Sequence, residues 1–302
     1  MKALLLSLLF FVSFVLGAQQ VPDFRTELYS PQWHNPASFG TWNKYSINLL
    51  GAYGAISPGF GSGAFMVNGE AFVELPNKTS GIGVGCNYLY TALQDIDETK
   101  GLNLQLNYQL EFDKFNISIG AAPGFQKVTY KEFDWIATDT TNDPNLPGPG
   151  TQTKLTIDAG FFFYSDRYYA GLSAGQINEP DYDSLNFRAG RRLYFDSGYR
   201  FKVSRNLQLF SSLSISHDGA TFRKAAVTLM LQLMKPGITF GGGYSFGSSF
   251  WALVGYEYKR FSFIYTLGYR PFVLSSGSNL SHETRLTYKL KKKPNCSTCE
   301  HF

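Results

Sequence analysis

The chain has 302 residues, with 27 Phe, 19 Tyr and 30 Gly, but only 17% charged residues and a formal net charge of +4. The positive charge is spread along the chain and is dense only from Lys289 to Lys293, which gives nucleic acid binding little support. A mean hydropathy of −0.15 is too polar for a bundle of membrane-spanning helices. It suits a barrel, in which lipid-facing and lumen-facing residues average out.

The N-terminus reads as an export signal. Met1-Lys2-Ala3 supplies a basic start, Leu4 to Leu16 an apolar run, and Gly17-Ala18 the small residues of a cleavage site. The run is shorter than the ~18 residues an anchor helix needs. A signal peptide is therefore predicted over 1–18. No Cys follows it, so a lipoprotein is not expected. Residues 19–44 form an irregular segment carrying Pro22, Pro31 and Pro36.

From Tyr45 the chain divides into strands. Leu102, Leu104, Leu106, Tyr108, Leu110 and Phe112 alternate with Asn103, Gln105, Asn107, Gln109 and Glu111, which gives one apolar and one polar face at the period of two of a β-strand. Similar alternation predicts about fourteen strands: Tyr45–Ala55, Gly63–Leu75, Gly81–Thr91, Gly101–Phe112, Phe115–Tyr130, Thr153–Tyr164, Tyr168–Ile177, Leu185–Lys202, Asn206–His217, Lys224–Met234, Ile238–Phe246, Ser249–Tyr258, Phe261–Arg270 and Glu283–Lys291. Tight turns such as Asp113-Lys114 and Lys259-Arg260 alternate with longer links such as Ala92 to Lys100 and Lys131 to Gln152. Short periplasmic turns and longer outer loops are the rule in outer-membrane barrels. The prediction is thus an all-β, antiparallel transmembrane barrel over 45–291, with a periplasmic tail over 292–302 and both termini in the periplasm. The Pro- and Gly-rich link from Lys131 to Gln152 is expected to be an external loop.

Chemistry is sparse. Three cysteines, Cys86 and the tail pair Cys296 and Cys299, make no disulfide framework, and with His301 they fall short of the four ligands of a structural zinc site. His217-Asp218 and His282-Glu283 end and begin strands at the predicted outer rim, and Ser276 lies nearby. Neighbouring residues of a strand point to opposite faces, so neither pair is a dyad by itself. No catalytic, metal or cofactor site is predicted. Glu111, Asp158, Glu257, Arg270, Arg285 and Lys289 are predicted to face the lumen, where opposite charges can pair across strands or line a channel. Asn-Pro-Ala biases the chain to a turn, so Asn35, Pro36, Ala37 and Gly40 are candidates for ordering the N-terminal segment in or beneath the barrel, or for partner contact.

Several segments resemble the PorP/SprF family. They are Gln20-Val-Pro22-Asp-Phe24 and His34-Asn-Pro-Ala-Ser-Phe-Gly40, then Gly81-Ile-Gly-Val-Gly85, Asn107-Tyr-Gln-Leu110, Ile117-Ser-Ile-Gly-Ala121, Ile157-Asp-Ala-Gly160 and Tyr168-Tyr-Ala-Gly-Leu-Ser173. Ser275 to Glu283 is similar to the family's closing serine-rich and Ser-His-Glu pattern, which adds His282 and Glu283 to the candidates. The first strand, Tyr45–Ala55, departs from the family's basic, Trp-containing pattern. The resemblance implies an outer-membrane component of the type IX secretion system of Bacteroidetes, linked to gliding motility. Its implied partners are a large exported cell-surface adhesin, other secretion components and outer-membrane lipid, with no nucleic acid and no cofactor. The competing expectation is a passive or substrate-specific channel.

Overall fold

The structure is a computed structural model and describes residues 24–25, 31–57, 60–76, 79–93, 96–131, 149–218, 222–246, 249–271 and 279–290. The predicted signal peptide, the tail with Cys296 and Cys299, Ser276 and most of the Lys131–Gln152 loop lie outside these residues.

Fourteen antiparallel strands close into one barrel. They are β1 (Tyr45–Ser57), β2 (Phe60–Glu74), β3 (Ser80–Leu93), β4 (Asp97–Glu111), β5 (Asn116–Tyr130), β6 (Gly150–Tyr164), β7 (Tyr168–Gly175), β10 (Arg192–Lys202), β11 (Leu207–His217), β12 (Phe222–Leu233), β13 (Ile238–Ser245), β14 (Ser249–Tyr258), β15 (Phe261–Tyr269) and β16 (Leu280–Lys289). A two-stranded hairpin, β8 (Asp181–Tyr182) and β9 (Phe187–Arg188), interrupts the link between β7 and β10. The barrel closes where β1 pairs with β16, from Ser46 opposite Lys289 to Gly54 opposite Ser281. Closure leaves no open edge, which is what allows a sheet to sit in hydrocarbon.

The wall sorts its side chains as the alternation predicts. On β4 Leu104 is 59% exposed and Gln109 1%. On β15 Phe261, Phe263, Leu267 and Tyr269 point outward, while Ile264 and Thr266 are buried inside. Aromatic residues band both ends. Phe112, Phe115, Phe163 and Tyr168 pack in sequence near the tight turns, as do Phe261 and Tyr288. Tyr244, Phe246 and Phe250 do so at the opposite end. Such bands suit the two membrane interfaces, where an aromatic ring meets both lipid and water.

Two expectations change in detail. Ala92 to Lys100 is mostly strand rather than a long link: Leu93 pairs with Asp97, and Glu98 forms an ion pair with Lys100. The predicted strand Leu185–Lys202 is split, because Asn186 takes a left-handed conformation (φ 48°) that ends a short 3-10 turn and starts β9. The barrel begins and ends at the tight-turn end, at Tyr45 and Lys289. Of the two places expected for the N-terminal segment, in or beneath the barrel, its described residues lie inside: Arg25 is level with Glu283 and Gly268, in the loop-end half.

A candidate functional site: the lumen plug and its seat

Residues 31–42 are buried on every side within the lumen. Local chemistry shapes this plug. Asn35 precedes Pro36 and is held extended (φ −120°, ψ 101°), as pre-proline residues prefer. Its Oδ1 accepts the Ala37 N–H at 3.0 Å and caps a 3-10 turn over Pro36–Ser38. Pro36 at the first position sacrifices no hydrogen bond there. The Ser38 hydroxyl donates to the Asn35 carbonyl and the Thr41 hydroxyl to the Ser38 carbonyl, each at 2.7 Å. Gly40 turns the chain with φ +70°, a conformation that a side chain would strain, and a Cβ there would come within 3.1 Å of Phe72.

The wall meets the plug mainly through main-chain groups. Asn107 Nδ2 donates to the Phe39 carbonyl at 2.8 Å and to the Pro36 carbonyl at 3.2 Å. Gln109 Nε2 donates to the Phe39 carbonyl at 2.8 Å, and Gln105 Nε2 to the Gln32 carbonyl at 3.3 Å. Gln109 Oε1 in turn accepts from the Tyr164 hydroxyl at 2.9 Å. Glu70 accepts the Gly40 N–H at 2.8 Å and also the Ser46 hydroxyl. Upstream, Glu283 accepts the Arg25 N–H at 2.7 Å and Lys224 donates to the Phe24 carbonyl at 3.3 Å. Side chains add two anchors: the Asn35 amide donates to the Phe161 carbonyl at 3.2 Å, and His34 pairs with Asp196 of β10.

The seat is deep enough for the plug because it is floored by glycine. A Cβ on Gly120 would lie 2.7 Å from the Ala37 nitrogen. One on Gly160 would overlap the Asn35 amide, and one on Gly85 the Phe39 ring. Two apolar clusters wedge the plug at its ends. Trp33 packs edge-on against Phe24 and Tyr194 beside Leu50 and Met66. Trp42 packs against Phe162 and Tyr169, near Phe210, Met230 and Leu253. Burying each such aromatic contributes on the order of 2–3 kcal/mol.

The other predicted residues are scattered. Asp158 faces the loop-end half of the lumen, where it accepts the Gln176 N–H at 2.7 Å. Lys289 donates to Glu257 at 2.6 Å near the tight-turn end. Arg285 donates to Asn48 at 2.9 Å. Glu111 is half-buried at the foot of β4, and Arg270 is half-buried just past β15. His282 and Glu283 part company: the histidine lies on the outer face and bonds the Tyr265 hydroxyl at 2.7 Å, while the carboxylate turns into the lumen. His282 therefore cannot join a lumen-side carboxylate. Sequence reasoning placed Asn103 to Glu111 in the lumen but did not read Gln105, Asn107 and Gln109 as partners of the plug. Three amides at successive inward positions were the available signal. Glu70 and Asp196 carried none.

Above the plug, the hairpin β8–β9 folds inward on the ends of β5 and β6. Tyr182, Leu185 and Ala189 bury against Val128, and the Tyr182 hydroxyl reaches the Gln126 carbonyl at 3.4 Å. Burial pushes the Tyr182 phenol up to about 12. Around the hairpin, Glu179 pairs with Arg188 and Arg191, both at 3.2 Å.

A closed fourteen-strand barrel with an apolar, aromatic-banded exterior and a peptide segment filling its lumen is an outer-membrane barrel of the stoppered kind. Solved structures agree on the fold. The toluene transporter TbuX of Ralstonia pickettii is 10% identical, with a TM-score of 0.52 over 85% of this chain and 92% of that one. A Pseudomonas aeruginosa FadL homologue is 13% identical, with a TM-score of 0.52 over 91% and 96%. The monoaromatic hydrocarbon channel CymD is 9% identical, with a TM-score of 0.54 over 90% and 94%. No curated protein matches the chain. The family model described as type IX secretion system membrane protein PorP/SprF matches residues 16–288. The chain belongs to the PorP/SprF family and is an outer-membrane protein.

Proposed function

We propose that the protein is a binding and assembly barrel of the type IX secretion system, without catalysis or cofactor. Exported under its 1–18 signal peptide, it engages a large cell-surface protein of the gliding-adhesin type at its outer loops or lumen, and helps to export or anchor it beside other components of that system. Family membership supports the secretion role. The plug is the observation that carries the reading as a binding element: residues 31–42 fill the lumen, so the wall's polar groups are engaged with a polypeptide. Deleting the gene should remove one or a few adhesins from the surface proteome, and an unchanged surface proteome would sink the proposal. The channel reading predicts steady ion conductance in planar bilayers. A stoppered lumen predicts a silent barrel.

A further inference from the structure

We propose that the seat of the plug is a peptide-binding site that also accepts a short turn-forming segment of the exported partner, and that residues 31–42 are its resident occupant. This rests on the proposed role in handling an exported protein, and adds where that protein is held. Three features carry it.

The first is what the seat reads. Asn107 and Gln109 converge on the Phe39 carbonyl, Gln105 takes that of Gln32, and Glu70 takes the Gly40 N–H. Carbonyls and N–H groups are present in every polypeptide, so these contacts suit any chain that follows the same path. The second is depth. Gly120 admits the Ala37 backbone at van der Waals distance, while Gly85 and Gly160 leave room for one ring and one amide, the places held by Phe39 and Asn35. The third is detachability. The plug consists of two single 3-10 turns, and none of the fourteen wall pairings runs through residues 31–43. The strand ladders therefore survive its departure. Buried amides left without partners cost about 1–3 kcal/mol each, so the seat favours exchange of one chain for another over standing empty.

The partner segment is thus a turn-forming peptide, bearing an aromatic side chain at either end to fill the places of Trp33 and Trp42. An occupied seat weakens a partner's apparent affinity by the fraction of molecules that are open. Loosening the plug should therefore tighten binding in trans.

The test uses the full chain in mild detergent and a fluorescent peptide with the sequence of residues 31–43. The variant carries Asn35→Ala and Gly40→Ala, which weaken the plug's own turns and leave the seat untouched. Heat-modifiable gel migration reports whether the barrel is assembled, and Asn35→Ala alone serves if the double variant does not assemble. The labelled peptide should bind the variant at least about tenfold more tightly than the wild type. Adding Gly160→Leu should abolish that gain. Exported protein that co-purifies with the variant from its own cells should be released by unlabelled peptide. Equal peptide binding by variant and wild type, or partner protein that peptide fails to release, overturns the shared seat while leaving the secretion role standing. Peptide binding with no exported protein on any form overturns the secretion role and with it the partner's claim to the seat.

Discussion

The two sides of the lumen solve the same problem differently. The wall from β3 to β6 is built of glycines and amides, and its polar groups point at the main chain of the plug. The wall from β14 to β16 with β1 is charged and bonds partly within itself: Lys289 bonds Glu257 at 2.6 Å, while Arg285 and Thr287 share the Asn48 oxygen at 2.9 and 2.6 Å. The amide wall depends on an occupant, because its donors are desolvated by the chain they bind. The charged wall meets its occupant mainly through packing, Leu50 beside Trp33 and Leu253 near Trp42, and through Glu283, which accepts the Arg25 N–H. The Lys289 bond to Glu257 and the bonds to Asn48 do not involve it. Damage to the plug should therefore leave more polar groups without partners on the amide wall than on the charged one.

The largest break should come from the glycine floor. Gly160→Leu places a branched side chain where the Asn35 amide now lies, and overpacking of this kind costs about 1–3 kcal/mol. Gly101 is the internal control. It lies on the same wall and faces the lumen, but a Cβ there meets nothing within 4 Å. Gly101→Ala should leave the thermal transition in place, whereas Gly160→Leu should lower it and expose the plug to added protease. A Gly160→Leu protein as stable and as resistant as wild type would show that the plug does not use the floor.

The next effect belongs to the amides. Asn107→Leu removes two donors from the plug and one acceptor from the Gly83 N–H, at 3.1 Å, while keeping volume. Buried carbonyls that lose their partners cost about 1–3 kcal/mol, so denaturant unfolding should shift by an amount in that range. If Asn107→Leu were neutral, water would be standing in for the amide, and the contrast between the walls would narrow.

How much of this could be read in the sequence differs between the strands and the plug for a physical reason. Leu102 to Phe112 separates lipid from lumen by a period of two, so every residue of β4 announces its face. Residues 31–42 are enclosed on all sides by strands that lie far downstream, and a segment buried all round has no periodicity to display. Its Asn35-Pro36 turn was legible because it is local. Its partners Glu70, Asn107 and Asp196 were not, since the contacts span 30 to 162 residues. The hairpin β8–β9 was missed because its reversal depends on a single left-handed Asn186, which sequence alone reads as continued strand.

The smallest expected effect tests the charged wall. Lys289 and Glu257 are each about one-third exposed, at 27% and 35%, so water screens their attraction. Pairs this accessible are worth about 0–1 kcal/mol. Lys289→Ala and Glu257→Ala should each destabilise the barrel slightly, and a double-mutant cycle should return a coupling below about 1 kcal/mol. Raising salt should shrink that coupling further, as the screening length falls below about 8 Å. The coupling should also be the same in Gly160→Leu as in wild type, because the pair bonds across β14 and β16 without touching the plug. A coupling that disappears when the plug is dislodged would mean that both walls respond to the occupant. The lumen would then be one cooperative seat rather than a seat beside an independently bonded pair.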